Sequence, residues 1–178
     1  MSFIPDSFQP PRSYVSSRLT LEVLSPVHAT RDYDCVTTSR LAIREVFGHH
    51  EGWLSDNWTY AENLADLERH EREFDERQAF AYAIFEHVGG CAEHRSYAGC
   101  LYIKPIRPRS EHDRRNALFE AEAFYWFSIS TSGMQFDKLA ADELMQWISS
   151  SWPFASVAFP GRTIGWDEWN ALCTVGSQ

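Results

Sequence analysis

The chain has 178 residues, 44% of them hydrophobic and 15% aromatic, and a net charge of −9. That length falls in the single-domain range and lets a chain bury about 70% of the surface its unfolded form exposes, so no disulfide or metal staple is required. The aromatic content excludes a disordered chain, and the acidic balance argues against nucleic acid as a partner. The one basic run, Lys104, Arg107, Arg109, Arg114 and Arg115, is interrupted by Glu111 and Asp113 and reads as a solvated loop.

Cys35, Cys91, Cys100 and Cys173 form no CxxC pair, and residues 1–18 contain no apolar leader. The expectation is a cytoplasmic protein with reduced thiols. No run reaches the ~18 apolar residues of a membrane helix, so no membrane partner is expected. The 7 histidines do not pair with cysteines or carboxylates at ligand spacing, and the adjacent His49 and His50 would diverge on a helix or strand. No metal site is expected.

Residues 1–18, with Pro5, Pro10 and Pro11, read as an irregular tail. A domain is expected over 19–178. Leu19 to Leu24 alternates as a strand, and Ser25-Pro26 stops it and opens a helix from about Val27 to Phe47, with a break near Thr37-Thr38 and Gly48 as its cap. The tryptophan-rich loop 51–58 follows. Thr59 with Glu62 three residues on forms a capping box for an amphipathic helix carrying Tyr60, Leu64, Leu67, Glu71 and Phe74 on one face, Glu71 being the polar exception.

Ala79 to Phe85 and Tyr97 to Ile103 are apolar on both faces, as strands covered on both sides are. Gly89-Gly90 lies in the hairpin loop between them. Pro105 and Pro108 end the second of these, and a polar stretch to Asn116 leads to a strand over about Glu122 to Ile129. A helix over Phe136 to Ser150 buries Ala141, Leu144, Met145, Ile148 and Trp152. Ser156 to Phe159 is a fifth strand. Trp166, Trp169 and Cys173 share a helical spacing, which predicts a short docked helix over 167–173. The fold class is α/β (α+β): a mixed, mostly antiparallel central sheet flanked by helices, in the order β-α-α-β-β-β-α-β.

That order resembles the GNAT N-acyltransferases over about 19–159. Arg18-Leu19-Thr20-Leu21-Glu22-Val23-Leu24-Ser25-Pro26 is similar to the family's opening RLxLxxLxP. Tyr97-Ala98-Gly99-Cys100-Leu101-Tyr102-Ile103 resembles its third strand, and Glu122-Ala123-Phe124-Tyr125-Trp126-Phe127 its fourth. The resemblance implies acyl transfer from acetyl-CoA to an amine, on a small molecule or a protein. The fourth strand would splay from the fifth and expose backbone groups to the pantetheine. Ile129, Ser132, Gly133, Met134, Gln135 and Phe136 would hold the coenzyme, with amides at a helix N-terminus facing its diphosphate.

The chain departs from the family in two places. The loop Ser130 to Asp137 has one glycine and no Q/R-x-x-G-x-G/A pattern; Lys138 is the nearest cation, and Asp137 suits the helix end but repels phosphate. No tyrosine follows Tyr125, and the 19 residues after Phe159 are too few for the family's usual closing helix and strands, so a shortened C-terminal end is expected.

Acyl transfer needs a base for the amine and an acid for the leaving thiolate. Glu122 and Glu120, two apart at the start of the fourth strand, are candidate bases. Tyr102 and Tyr125, both on strands, are candidate acids. Trp53, Trp58 and Tyr102 are candidate walls of the acceptor pocket. Two other readings stand beside this one: a GNAT-shaped binding or structural module without a coenzyme site, and a homodimer that completes an unfinished sheet edge with a partner strand.

Overall fold

The computed structural model describes residues 3–47, 54–131 and 133–173. One sheet runs β1 (Ser13–Val15), β2 (Leu19–Val23), β3 (Phe80–His87), β4 (Arg95–Lys104), β5 (Ala121–Phe127) and β6 (Val157–Ala158), in that spatial order. Neighbours pair antiparallel until β5 and β6, which pair in parallel. The parallel step requires a crossover, supplied by α5 (Met134–Ser151).

Both faces of the sheet are covered, as the continuous apolar strands require. On one face, Phe136, Ala140, Leu144, Trp147 and Ile148 of α5 pack on Tyr82, Ile84, Leu101 and Tyr125. On the other, α1 (Ala29–Thr38), α2 (Arg40–Phe47) and α3 (Tyr60–Asp75) set Val36, Ile43, Phe47 and Leu67 against Ala83, Cys100, Phe124 and Trp126. α3 begins at the Thr59 capping box: the Glu62 amide donates to the Thr59 hydroxyl, and the Thr59 amide donates to the Glu62 carboxylate. A smaller core gathers Ile106, Ala158 and Ile164 around Trp169 on α6 (Trp166–Ala171). Trp169 is fully buried, Cys173 is buried and Trp166 is half-buried, so the expected docked helix is present, beginning one residue and ending two residues earlier than expected. No helix among the described residues is long and apolar enough to cross a membrane.

Four expectations need correction. The segment 1–18 is not irregular throughout. It contains β1, and Ile4 is buried against the α5 face, because that face extends past β2 and needs cover. The tail is anchored by the Tyr82 hydroxyl, which donates to the Pro11 carbonyl at 2.6 Å. The helix expected over 27–47 opens instead as a 3-10 turn at Pro26–His28, and α1 and α2 part at Ser39, one residue past the break expected near Thr37-Thr38. The polar stretch before β5 contains a short helix, α4 (Arg115–Leu118). On α5, Phe136, Ala140 and Trp147 are buried where Ala141 and Met145 were expected; those two lie at the margin of the same face.

Gly99 sets the shape of the sheet beside β5. Its φ is +147°, and a Cβ there would sit 1.9 Å from the Trp126 carbonyl oxygen. The β3–β4 register shifts immediately next to it, between Ile84 and Phe85, and a bulge of this kind increases local twist. Gly99→Ala should lower unfolding stability by about 3 kcal/mol, because backbone has to move to admit one methyl group; urea denaturation measures it. Trp169→Ala should cost about 3–5 kcal/mol by emptying the small core, seen as a fall in melting temperature.

Candidate active site

β5 and β6 touch at only two residue pairs, Ala121 with Val157 and Glu122 with Ala158. Beyond them the chain leaves β6 through a turn at 159–164, where the Phe159 carbonyl accepts from the amides of Arg162 and Thr163 at 3.0 and 3.1 Å. On the side away from β4, the edge of β5 from Ala123 onward therefore has no neighbouring strand among the described residues. A cavity of about 470 Å³ fills the gap. Its walls are Tyr125 to Phe127 of β5, Asp137, Lys138 and Ala141 of α5, Ala42, Glu45 and Val46 of α2, and Gly161 and Arg162 of the turn. Helices from both faces of the sheet thus meet at one opening.

The open edge has a substitute partner. The Arg162 guanidinium donates to the Tyr125 carbonyl at 3.3 Å and lies 4.7 Å from the centre of the Tyr125 ring. A strand residue turns its N–H and C=O to the same side, so the main-chain groups of Phe127, two residues on, face the same opening. The Tyr125 ring packs in the α5-side core, and burial raises its hydroxyl pKa, an effect the nearby Arg162 charge opposes.

The loop from β5 to α5 is held by hydroxyls. The amide of Ser130 donates to the Ser128 hydroxyl at 3.2 Å, and the amide of Ile129 to the Ser39 hydroxyl at 3.1 Å. Ser39 is thus both the breakpoint of the α1–α2 helix and a brace for the loop. The Thr131 hydroxyl donates to the Asp137 carboxylate at 2.9 Å. Gly133 stands at φ +103°, with open space where a side chain would project. Met134, Gln135 and Ile129 are exposed, whereas Phe136 turns into the core. Ser132 lies outside the described residues.

Glu122 and Tyr125 do not share a face. Alternation along β5 puts Tyr125 on the α5 side and Glu122 on the α3 side, with Phe124 and Trp126. Glu122 lines a second cavity, about 340 Å³, with Lys104 of β4, Arg69 and Glu73 of α3 and residues of the loop after β4. Glu120 precedes the strand and is occupied elsewhere: its carboxylate accepts the Ala155 amide at 2.7 Å and ties down the approach to β6. Among the expected acceptor-pocket residues, Trp53 lies outside the described residues. Trp58 packs at the margin of the α1–α3 core and donates from its indole to Asn63 at 3.0 Å. Tyr102 is buried, with its hydroxyl accepting from Trp126 at 3.4 Å. Neither lines the two cavities just described.

The sequence reading missed a polar seam under α3. Asp32 is buried and accepts from Tyr97 at 2.6 Å, from Asn63 at 2.9 Å and from Cys100 at 3.4 Å. Burial pushes its carboxyl pKa up, against these three donors. Among the described residues, no group of three histidine, cysteine or acidic side chains could hold a metal ion. Next to Asp32, His70 packs its ring 5.2 Å from Tyr102 and sits between Asp66, at 3.2 Å, and Glu73, at 3.6 Å. Arg69 binds the same two carboxylates. The only advance signal was spacing: Asp66, Arg69, His70 and Glu73 stand three and four apart on one helix.

This network makes stability depend on pH. Burial works to raise the Asp66 pKa, but bonds to His70 and Arg69 overcome it and hold the carboxyl at about 2. Glu73 is likewise lowered to about 2, first by His70 and then by Arg69. Folded values below the unfolded ones mean that the stabilisation is full above about pH 4 and is lost as pH falls from about 4 to about 2. In the Asp66→Asn, Glu73→Gln double variant, the acid-side loss of stability should shrink by roughly 2 kcal/mol, after discounting for the partial exposure of Glu73. Urea melts across that pH range measure it.

No family model and no curated protein matches the chain. Solved structures do. The ribosomal L7/L12 alpha-N-protein acetyltransferase RimL aligns at 18% identity over 76% of this chain and 63% of its own, with a TM-score of 0.52. A ribosomal-protein-S5-alanine acetyltransferase from Vibrio fischeri aligns at 13% identity over 77% and 67%, with a TM-score of 0.53. The microcin C7 self immunity acetyltransferase MccE, solved with acetyl-CoA and AMP, aligns at 15% identity over 82% and 71%, with a TM-score of 0.55. The chain therefore spans less than two thirds of the RimL structure it matches. Identities this low speak to fold. The strand order, the parting of β5 from β6 and these alignments together give the chain the GNAT fold.

Proposed function

We propose that the protein is an acyl-CoA-dependent N-acyltransferase, with acetyl-CoA as donor and an amine as acceptor. One observation carries this reading: the unpaired edge of β5 opens on a cavity of about 470 Å³ that leads to the N-terminal turn of α5. Pantetheine is an extended chain of two amides, and an unpaired strand edge offers the main-chain groups that such a chain needs. The exposed start of the 18-residue α5 offers amides of Gly133 to Phe136 to a diphosphate. Lys138 adds a cation on the same wall. RimL has been solved in complex with coenzyme A and MccE with acetyl-CoA, which supports this choice of donor.

In this reading the coenzyme supplies the activated thioester. The amine nitrogen bonds to its carbonyl carbon and the carbon–sulfur bond breaks. Glu122 takes the proton of the amine, and Tyr125, kept protonated by burial, gives one to the thiolate. The two residues are three apart on β5, about 10 Å along the strand, and line different cavities, so the base and the acid would act from opposite faces of the sheet. A protein amine is a reasonable acceptor class, because RimL acts on a ribosomal protein. Arg162 must leave the Tyr125 carbonyl before pantetheine can use it.

That last point favours the second reading, a GNAT-shaped binding module whose coenzyme edge is filled by its own arginine. Calorimetric titration with acetyl-CoA separates the two. On the enzyme reading the wild type binds, and Gly133→Pro weakens binding at least about 10-fold, since proline needs φ near −65° and removes an amide. Arg162→Ala exposes the β5 edge and changes the affinity. Absence of heat with both the wild type and Arg162→Ala leaves the module reading. Glu122→Gln should lower turnover by about 10²–10⁴-fold with an unchanged acetyl-CoA affinity; full activity in that variant removes Glu122 as the base.

A further inference from the structure

The second cavity has a charge opposite to that of the chain around it. Arg69, Lys104, Arg107, Arg109 and Arg115 line it against only Glu73 and Glu122, in a protein of net charge −9. Three of these cations come from the run Lys104 to Arg109 that reads in sequence as a solvated loop. Of the two acidic residues that interrupt the basic run, Asp113 neutralises one lining cation, Arg115, and pairs with no other lining side chain. Asp113 is consumed by Arg115: the guanidinium donates to both of its carboxylate oxygens, at 2.6 to 3.1 Å, and both side chains are buried. That pairing holds the Asp113 carboxyl well below its ordinary pKa. Glu111 does not line the cavity.

The remaining cations differ in how far they are committed. Arg69 is bound to Asp66 and Glu73. Lys104 lies over the Tyr102 and Phe124 rings, at 5.3 and 5.9 Å, and is the cross-strand partner of Glu122. The Arg109 guanidinium donates to the neutral amide oxygen of Asn170, at 3.0 Å, and its backbone amide donates to the Asp113 carboxylate, at 2.8 Å. The Arg107 guanidinium makes no hydrogen bond or ion pair among the described residues, and its backbone is fixed by Arg115, which donates to the Arg107 carbonyl at 2.9 Å. Two exposed guanidinium forks thus line the same cavity as the half-buried Glu122. A guanidinium in that setting pairs best with a planar or tetrahedral oxyanion, through two parallel N–H···O bonds.

We propose that this cavity binds a small amine bearing an oxyanion, a carboxylate or a phosphate, with the acid on Arg107 and Arg109 and the amine towards Glu122. The amine half of the assignment rests on the acyltransferase reading; the oxyanion half rests on the cavity alone. At about 340 Å³ the space suits a molecule of amino-acid size.

Calorimetry without coenzyme tests it, using β-alanine, O-phosphoethanolamine, n-propylamine and inorganic phosphate as titrants. Binding of β-alanine, O-phosphoethanolamine or both, with no binding of n-propylamine, is expected, and the stronger of the two acids identifies the oxyanion. The Arg107→Ala, Arg109→Ala variant should weaken that binding about 10-fold or more. Both side chains are exposed, so its melting temperature should stay unchanged. Equal binding of n-propylamine, equal binding by the double variant, or heat from inorganic phosphate alone overturns the proposal, as does no binding by either acidic amine. Failure of acetyl-CoA to bind would remove the acyltransferase reading and leave an oxyanion site. Equal acetylation of n-propylamine and β-alanine would do the reverse.

Discussion

The parting of β5 from β6 after two residue pairs is the constraint on which the rest depends. A strand edge inside a protein must find partners for its N–H and C=O groups, or the fold bears the cost. Here the turn after β6 returns Arg162 across the gap, where one guanidinium satisfies the Tyr125 carbonyl and covers the Tyr125 ring. The cavity beside it exists because no strand lies there. It is bounded by helices from both faces because α2 and α5 each reach past the last paired residue.

Other features hold that gap open. The bulge beside Gly99 twists the sheet where β4 supports β5, and Gly99 lets the Trp126 carbonyl approach more closely than any side chain would allow. Ser39 interrupts the first helical segment and uses its hydroxyl on the loop that leads into α5, so the start of α5 is placed from across the sheet. Glu120 holds the amide of Ala155 and fixes where β6 begins. Gly99, Ser39 and Glu120 do not themselves line the larger cavity, yet each places an element beside it.

Charge is organised at a second level. The chain is acidic, but its carboxylates are spent locally: Asp66 and Glu73 on His70 and Arg69, Asp113 on Arg115, Glu143 on Arg18. What remains around the smaller cavity is cationic. Net charge describes the average surface, whereas the potential in a cleft depends on which opposite charges have already been paired.

The sequence by itself determined the longer elements. The two-sided apolar strands, the capping box at Thr59, the helix before β6 and the aromatic helix near the end are all present in the structure, because each rests on local periodicity or capping that tertiary contacts had no reason to override. The GNAT order of those elements was legible for the same reason. β1 was not, since three residues carry too little alternation to distinguish a strand from a tail and gain their structure only from pairing with β2. Only the tertiary structure decided that Glu122 and Tyr125 face different cavities, that Tyr102 is core, and that Arg162, far from β5 in the chain, reaches its edge. These are relations between residues far apart in the chain, set by strand alternation, register and packing, and no local pattern encodes them.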